Sequence, residues 1–500
     1  METFLKFGYL LLPEAIIIGS IVLLMLLDLF IPAKRSRRFF GWLALLAGLG
    51  ASVALIWVWI IWKTHLDGRP IQYFDSAYLF DAVSLILKLF ILLSLIFVFL
   101  LSLGNKQNST GNSYQAEYYY LMLVALLGAW VLVSSADLIT LFVGLELLSL
   151  ASYILVGIRK EDQNAVEAAW KYVVLGGVAS AFILYGMSFL YGMTGNTNLM
   201  EIYNSLQLSV QPEAILYIYL SFFLMLFGFG FKISAAPFHT WVADVYQGTT
   251  SAMAAFLATI TKVAIFGFIV RLLLLSYLPL FYRNNWNHYL EWALMGIAIL
   301  SMIVGNVLAL RQTEAKRLMA YSGIAQIGYI LVPLTLITLT QGMLFFRVTF
   351  FYFFAYILMV AGAFAVISQV TAQAGTGEIR AFAGLYRRNP LLAFAMSIFL
   401  ISLAGFPLTA GFIGKFFLLT NAFMTKKGIL LGVVMILTTI LSYFYYFRFV
   451  RQMYFRQPDQ PERIAIPWTL RIAITISLVG TIALALLPQL LLQLLQSLGL

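Results

Sequence analysis

The stretch SLAGFPLTAGFIGKFFLL, residues 402–419, is apolar enough to cross a membrane, yet it holds Gly405, Pro407, Gly411, Gly414 and Lys415. A lysine at bilayer depth costs about 2.5–3.5 kcal/mol on insertion scales, and more in simulations. Proline removes a backbone hydrogen bond and crowds the preceding turn. In lipid such an interruption survives only where the freed groups meet protein or water. The stretch therefore reads as a broken helix whose break admits water and shelters Lys415. GFGFKISAAPFHTW, residues 228–241, has the same ingredients: glycines, an internal Pro237 and Lys232.

The rest of the chain fits a membrane. Of its 500 residues, 62% are hydrophobic and 10% charged, against about 25% charged in a soluble domain. No polar stretch is long enough for a second, soluble domain, so a single membrane domain over 1–500 is expected. The lack of cysteine excludes disulfides, cysteine-ligated iron–sulfur clusters and thiolate chemistry. His65, His239 and His288 are too scattered for haem or zinc. Neither a GxGxxG motif before a helix nor a phosphate loop is present. No redox cofactor, metal or nucleotide is expected in this chain. The net charge of +11 follows from the positive-inside rule rather than from a nucleic-acid partner.

About twenty apolar residues cross a bilayer as a helix. Fourteen windows qualify, near 10–31, 39–62, 78–103, 117–134, 137–158, 165–192, 213–233, 249–275, 290–310, 317–338, 343–371, 390–424, 428–450 and 467–497. The seventh continues, after a break, through about 236–246. The first is too long for a signal-peptide core and is expected to be retained. Odd connections carry KRSRR (34–38), RKED (159–162), RQTEAKR (311–317), RAFAGLYRR (380–388) and Arg448, Arg451 and Arg456. Even connections are poorer in Lys and Arg, with Arg283 and Lys426–Lys427 as the main exceptions. The odd connections are thus expected in the cytoplasm, and both termini on the outer face.

Setting aside charges near helix ends, where lysine snorkels, leaves Glu146, Lys171, Lys232, Lys262 and Lys415. Ionisable residues at membrane depth tend to face a bundle interior or water and to pair. One carboxylate and four amines along successive helices suit a proton relay, because a partly desolvated ammonium releases its proton more readily. Each has a plainer reading: Glu146–Lys171 as a static ion pair, Lys171 snorkelling, Lys232 and Lys415 solvated by irregular backbone. Lys262 has no easy snorkelling route. His239 reads equally as a relay or a structural hydrogen-bonder, and Glu14, Asp28, Asp81 and Lys88 mainly as structural.

The two breaks fall in the fourth helix of successive five-helix blocks. Five is odd, so the blocks start on opposite sides of the membrane, as in the inverted repeats of many transporters. The expected fold is an all-α polytopic membrane protein of about fourteen transmembrane helices, with two inverted five-helix repeats, each with a broken helix. The expected division is 1–115 for helices 1–3, 116–276 and 277–455 for the repeats, and 456–500 for the last helix.

These segments, taken together, resemble the antiporter-like membrane subunits of respiratory complex I, and most closely the subunit N branch. LLPEAIIIGSIVLLMLLD (11–28) is similar to its opening helix. FVGLELLSLASYILVG (142–157) places the family glutamate on Glu146, and the partner lysine of the sixth helix falls on Lys171. FKISAAPFHTWVADVYQG (231–248), FLATITKVAIF (256–266) and SLAGFPLTAGFIGKF (402–416) place the remaining lysines on Lys232, Lys262 and Lys415. KRLMAYSGIAQIGYILV (316–332) matches the tenth helix. Lysine at 415 resembles branches N and L, where branch M has glutamate, and no long lateral helix of the L type follows the core. Phe406 departs from an expected isoleucine.

The resemblance implies a proton-translocating subunit of NADH–quinone oxidoreductase, in a bacterial plasma membrane, without redox centres of its own. FMN, iron–sulfur clusters and quinone are then expected in partner subunits. Glu146 and Lys171 would be a switching pair, Lys232 a link to Lys262, and Lys415 the outlet-side donor. Other membrane-arm subunits, including further antiporter-like ones, and lipid would be direct partners, the peripheral redox arm an indirect one. The rival readings are a subunit of a multi-subunit sodium/proton antiporter, a membrane-bound hydrogenase subunit, and a passive scaffold with static ion pairs.

Overall fold

The computed structural model describes residues 8–31, 37–65, 67–104, 115–208, 212–282, 287–336, 342–458 and 462–498. Lys34, Arg35 and Ser36 of the first basic loop, and Arg283, lie outside them.

Helices α1 (Gly8–Phe30), α2 (Arg38–His65) and α3 (Ala82–Gly104) form the N-terminal group. Between α2 and α3 the loop folds into a hairpin that helical periodicity does not reveal: β1 (Ile71–Tyr73) pairs antiparallel with β2 (Tyr78–Phe80). The first block is α4 (Gln115–Ser134), α5 (Leu138–Val156), α6 (Gln163–Thr194), the short α7 (Leu199–Leu208), the pair α8 (Pro212–Lys232) and α9 (Val242–Gly248), and α10 (Ser251–Leu272). The second is α11 (Asn287–Leu310), α12 (Ala315–Thr335), α13 (Gly342–Ala374), the pair α14 (Pro390–Ala404) and α15 (Ala410–Phe423), and α16 (Gly428–Phe455). α17 (Trp468–Leu486) and α18 (Pro488–Ser497) close the chain.

Thirteen of the described helices are long and apolar enough to span a membrane. The window near 390–424 supplies the fourteenth span as the two pieces α14 and α15. Two windows need correction. The eighth span runs on to Phe281 rather than ending near 275, through a wide π turn at Leu273–Tyr277. Pro279 has no N–H to give the preceding turn, and the wide turn lies directly before it. The last window divides at Pro488, after which α18 is a separate amphipathic helix.

Local chemistry sets the helix starts. Asp137, Thr250, Glu314 and Thr409 accept a backbone N–H from the first turn of α5, α10, α12 and α15, which satisfies an otherwise orphan donor. The internal repeat shows in the packing of α4 on α5 and of α11 on α12. A Cβ on Gly128 would strike the Gly144 carbonyl and Leu148 N; one on Gly305 would strike the Tyr321 carbonyl and Ala325 N. The same number of residues separates Gly128 from Gly305, Gly144 from Tyr321, Leu148 from Ala325, and cap Asp137 from cap Glu314.

α10, α12 and α13 are apolar and buried nearly all round, which places them at the centre of the bundle. α1, α6 and α16 turn broad apolar faces outward. Both breaks are backbone-satisfied. In the first, Ala236 N donates to Ser301 Oγ at 2.9 Å and Trp241 Nε1 to the Phe231 carbonyl at 3.2 Å. In the second, α14 ends on Gly405 at φ 80°, Gly411 N donates to Ser402 Oγ at 3.0 Å, and Tyr443 Oη donates to the Gly405 carbonyl at 3.2 Å. A Cβ on Gly411 would lie 1.8 Å from the Ser402 carbonyl oxygen. Gly411→Ala must therefore part the two half-helices. It is expected to destabilise the solubilised protein by about 1–3 kcal/mol, read as a lowered Tm; an unchanged Tm would mean the halves are not closely seated.

Candidate functional site

Three of the expected amines are sealed in the bundle: Lys262 is 1% exposed, Lys415 3% and Lys232 7%. None of the three makes an ion pair among the described residues. Lys262, halfway along α10, donates to the Gly323 carbonyl of α12 at 3.0 Å and faces Tyr356 Oη of α13 at 3.5 Å. Gly323 gives it room, since a Cβ there would stand 2.7 Å from the amine. Lys415, on α15, reaches back across the break to the Leu403 and Ala404 carbonyls at 3.0 and 3.1 Å. These are the last carbonyls of α14, the negative end of that helix dipole, and they suit a cation. The cation also lies 4.6 Å from the centre of the Tyr329 ring. Lys232 ends α8 and donates to Ser149 Oγ at 2.8 Å and Tyr153 Oη at 3.1 Å, both on α5.

Neutral polar groups fill the space between Lys262 and Lys415. Ser322, next to Gly323, hydrogen-bonds Tyr446 Oη. One turn along α12, Gln326 accepts a hydrogen bond from Tyr352 Oη and donates Nε2 to the Leu403 carbonyl at 3.2 Å. That carbonyl also receives Lys415. Asn306, Tyr329 and Tyr445 extend the network toward α11 and α16. Hydroxyls and amides that both give and take hydrogen bonds are the groups along which a proton can move.

The expected ion pair between Glu146 and Lys171 is not the one formed. Lys171 donates to Asp244 of α9 at 2.6 Å and to Glu167 at 2.7 Å. Its side chain is 37% exposed, because the Cα–Cβ bonds of a helix tilt toward the N-terminus, here the end of α6 nearest α9. Glu146 makes no ion pair among the described residues; it lies one turn before Ser149, which receives Lys232. Glu146 Oε1 is buried with no hydrogen-bond partner among the described residues. His239, half-buried within the first break, likewise leaves Nδ1 buried without a partner among them, and its ring lies 6.4 Å from that of Tyr321.

Three charged residues are not in the sequence-derived set. Asp244 bridges Lys171 and Arg317, the latter at 2.6 Å from α12. Arg271, ending α10, binds both carboxylate oxygens of Asp81 at 2.6 Å and the Val133 carbonyl at 3.1 Å. Buried Glu291 pairs with Lys427. Each lies close to a helix end, where a charge attracts no notice in a membrane sequence. Glu14 pairs with fully buried Lys88, which also meets Tyr78 of the hairpin. On the side of the basic loops, a polar cavity of about 480 Å³ opens among Arg159, Gln247, Thr250, Glu314, Lys316 and Glu378, at the start of α10.

Buried amines, broken helices and an internal repeat define a polytopic membrane protein of the ion-translocating class. The chain belongs to the NADH:quinone oxidoreductase/Mrp antiporter transmembrane family, whose model matches residues 135–442. It is 43% identical, over 94% of its own length and 91% of the relative's, to NADH-quinone oxidoreductase subunit N of Brevibacillus brevis. It is 40% identical to the subunit of that name from a Paenibacillus species, over 95% and 93%. Among solved structures it is similar to a chain of respiratory complex I from Thermus thermophilus, with 32% identity, 96% and 98% coverage and a TM-score of 0.78. A chain of the Mrp complex from a Dietzia species shares the fold alone, at 22% identity, 99% and 97% coverage and a TM-score of 0.80.

Proposed function

We propose that this chain works as an N-type membrane subunit of NADH–quinone oxidoreductase and carries protons across a bacterial plasma membrane. Electron transfer through FMN and iron–sulfur clusters to quinone belongs to partner subunits, reached through neighbouring antiporter-like subunits and, indirectly, the peripheral arm. The observation that carries the reading is the series Lys232, Lys262 and Lys415, buried without carboxylate partners among the described residues and joined, in its second half, by Gln326 and the tyrosines. A buried amine with only neutral partners has no fixed anion to hold its proton in place. The polar cavity at the start of α10 serves as the inlet from the basic-loop side. Lys262 takes the proton from there or from Lys232, and Lys415 passes it on. His239 sits beside the first break as a further acceptor. Glu146 and Lys171 set the state of the first block.

Glu146→Gln preserves size and removes the mid-helix carboxylate. The complex is expected to assemble and to translocate several-fold fewer protons per NADH oxidised, on the order of the coupling between distinct sites. Normal translocation would remove Glu146 from the mechanism. The orientation is separately testable, since the chain has no native cysteine. Single cysteines placed at 311–317 and 380–388 should resist an impermeant thiol reagent added outside intact cells; ready labelling would reverse the sidedness.

A further inference from the structure

Asp244 has no role in the path described above, yet together with exposed Glu167 it holds Lys171. The geometry points to Asp244 as the second seat of a two-position switch, in which Lys171 alternates between Asp244 and Glu146. This rests on the proposed role of Glu146 and Lys171 and adds the residue that completes it.

α5 ends at Val156 and α6 begins at Gln163, on the same side of the bundle. At 1.5 Å per residue, Glu146 lies about 15 Å in from that side and Lys171 about 12 Å. Asp244 lies only about 6 Å from the end of α9 at Gly248. Lys171 therefore stands at nearly the depth of Glu146 and leans outward to reach Asp244. Rotamer changes of a long, partly exposed side chain are fast and cost little.

The two carboxylates differ in what they lack. Glu146 Oε1 is buried with no partner among the described residues. Asp244 has each oxygen engaged, Oδ2 by Lys171 and Oδ1 by Arg317. If Lys171 leaves, Arg317 still balances Asp244, so departure strands no charge there. Its arrival would give Glu146 Oε1 the partner it lacks. Arg317 also takes Gln247 Oε1 at 2.9 Å, and it lies on α12, the helix that carries Gly323 and Gln326. Asp244 is thus a positioning residue that ties the switch in the first block to the helix lining the path in the second.

The test compares Asp244→Asn, Glu146→Gln and the double variant in the whole assembled complex, reading protons taken up per NADH oxidised by membrane vesicles. Each single variant leaves Lys171 one of the two seats, with exposed Glu167 unchanged beside it, so each is expected to lower that ratio by about fivefold or more, the lower end of coupling between distinct sites. The double variant should be no worse than the poorer single one, because the two seats act on one lysine. Asp244→Glu, which keeps the charge, should recover most of the ratio. Additive losses, or no rescue by Asp244→Glu, would overturn the switch and leave Asp244 a structural anchor. If Glu146→Gln is impaired and Asp244→Asn normal, this inference fails alone. If Glu146→Gln is normal, the proposed role of Glu146 fails with it. Should Asp244→Asn not assemble, Arg317→Gln leaves Asp244 to Lys171 alone, and a normal ratio there would equally overturn the switch.

Discussion

Replacing Lys262 with alanine is expected to cut proton translocation by tenfold or more, about the least expected from loss of a proton-transferring group, while the complex still assembles. The amine is 1% exposed and rests on one carbonyl oxygen and one tyrosine hydroxyl. No described carboxylate pairs with it, so its removal breaks no ion pair. It also removes a group that is expensive at membrane depth. A passive scaffold predicts the opposite pattern: normal translocation, with any damage confined to assembly. Measuring assembled complex by native electrophoresis beside proton uptake separates the two.

Arg271→Gln is expected to fail in the other direction, by losing the folded protein. Arg271 joins the end of α10 to Asp81 before α3 with two 2.6 Å bonds, and to the Val133 carbonyl of α4. Removing one partner of a buried pair leaves the other charge uncompensated, at about 3–5 kcal/mol. Little Arg271→Gln chain should therefore accumulate in the membrane. Arg271→Gln with Asp81→Asn leaves no lone charge and should restore part of the yield. A single variant that accumulates normally would show that the pair does not hold these helices together.

These two residues illustrate what the sequence makes legible. Lys262 stands out because nothing apolar on either side explains it. Arg271 lies near the end of the span expected from sequence, where a basic residue passes for an anchor, and its partner Asp81 is far away in sequence. The same limit hides Asp244. Lys171 and Glu146 are conspicuous as lone mid-helix charges, and pairing them is the economical guess. Only the return of α9 beside α6 after the first break shows that another carboxylate is nearer. The breaks were readable from Gly405, Pro407 and Pro237, since membrane helices tolerate such clusters poorly without a reason. The hairpin at Ile71–Phe80 was not, because three-residue strands carry too little alternation to detect. The Gln326 and tyrosine network was hidden for a different reason. Tyrosines and a glutamine in an apolar helix look like ordinary packing until Tyr352, Gln326, Leu403 and Lys415 fall in line.

The central claim is that Lys262 carries the proton rather than supplying a fixed positive charge. Arginine keeps the charge in place and does not give up its proton at any physiological pH. The direct measurement is NADH-driven proton uptake by vesicles containing the Lys262→Arg complex, normalised to assembled complex and to electrons delivered to quinone. The account predicts that uptake falls as far as in Lys262→Ala; uptake at the unmodified level would contradict it.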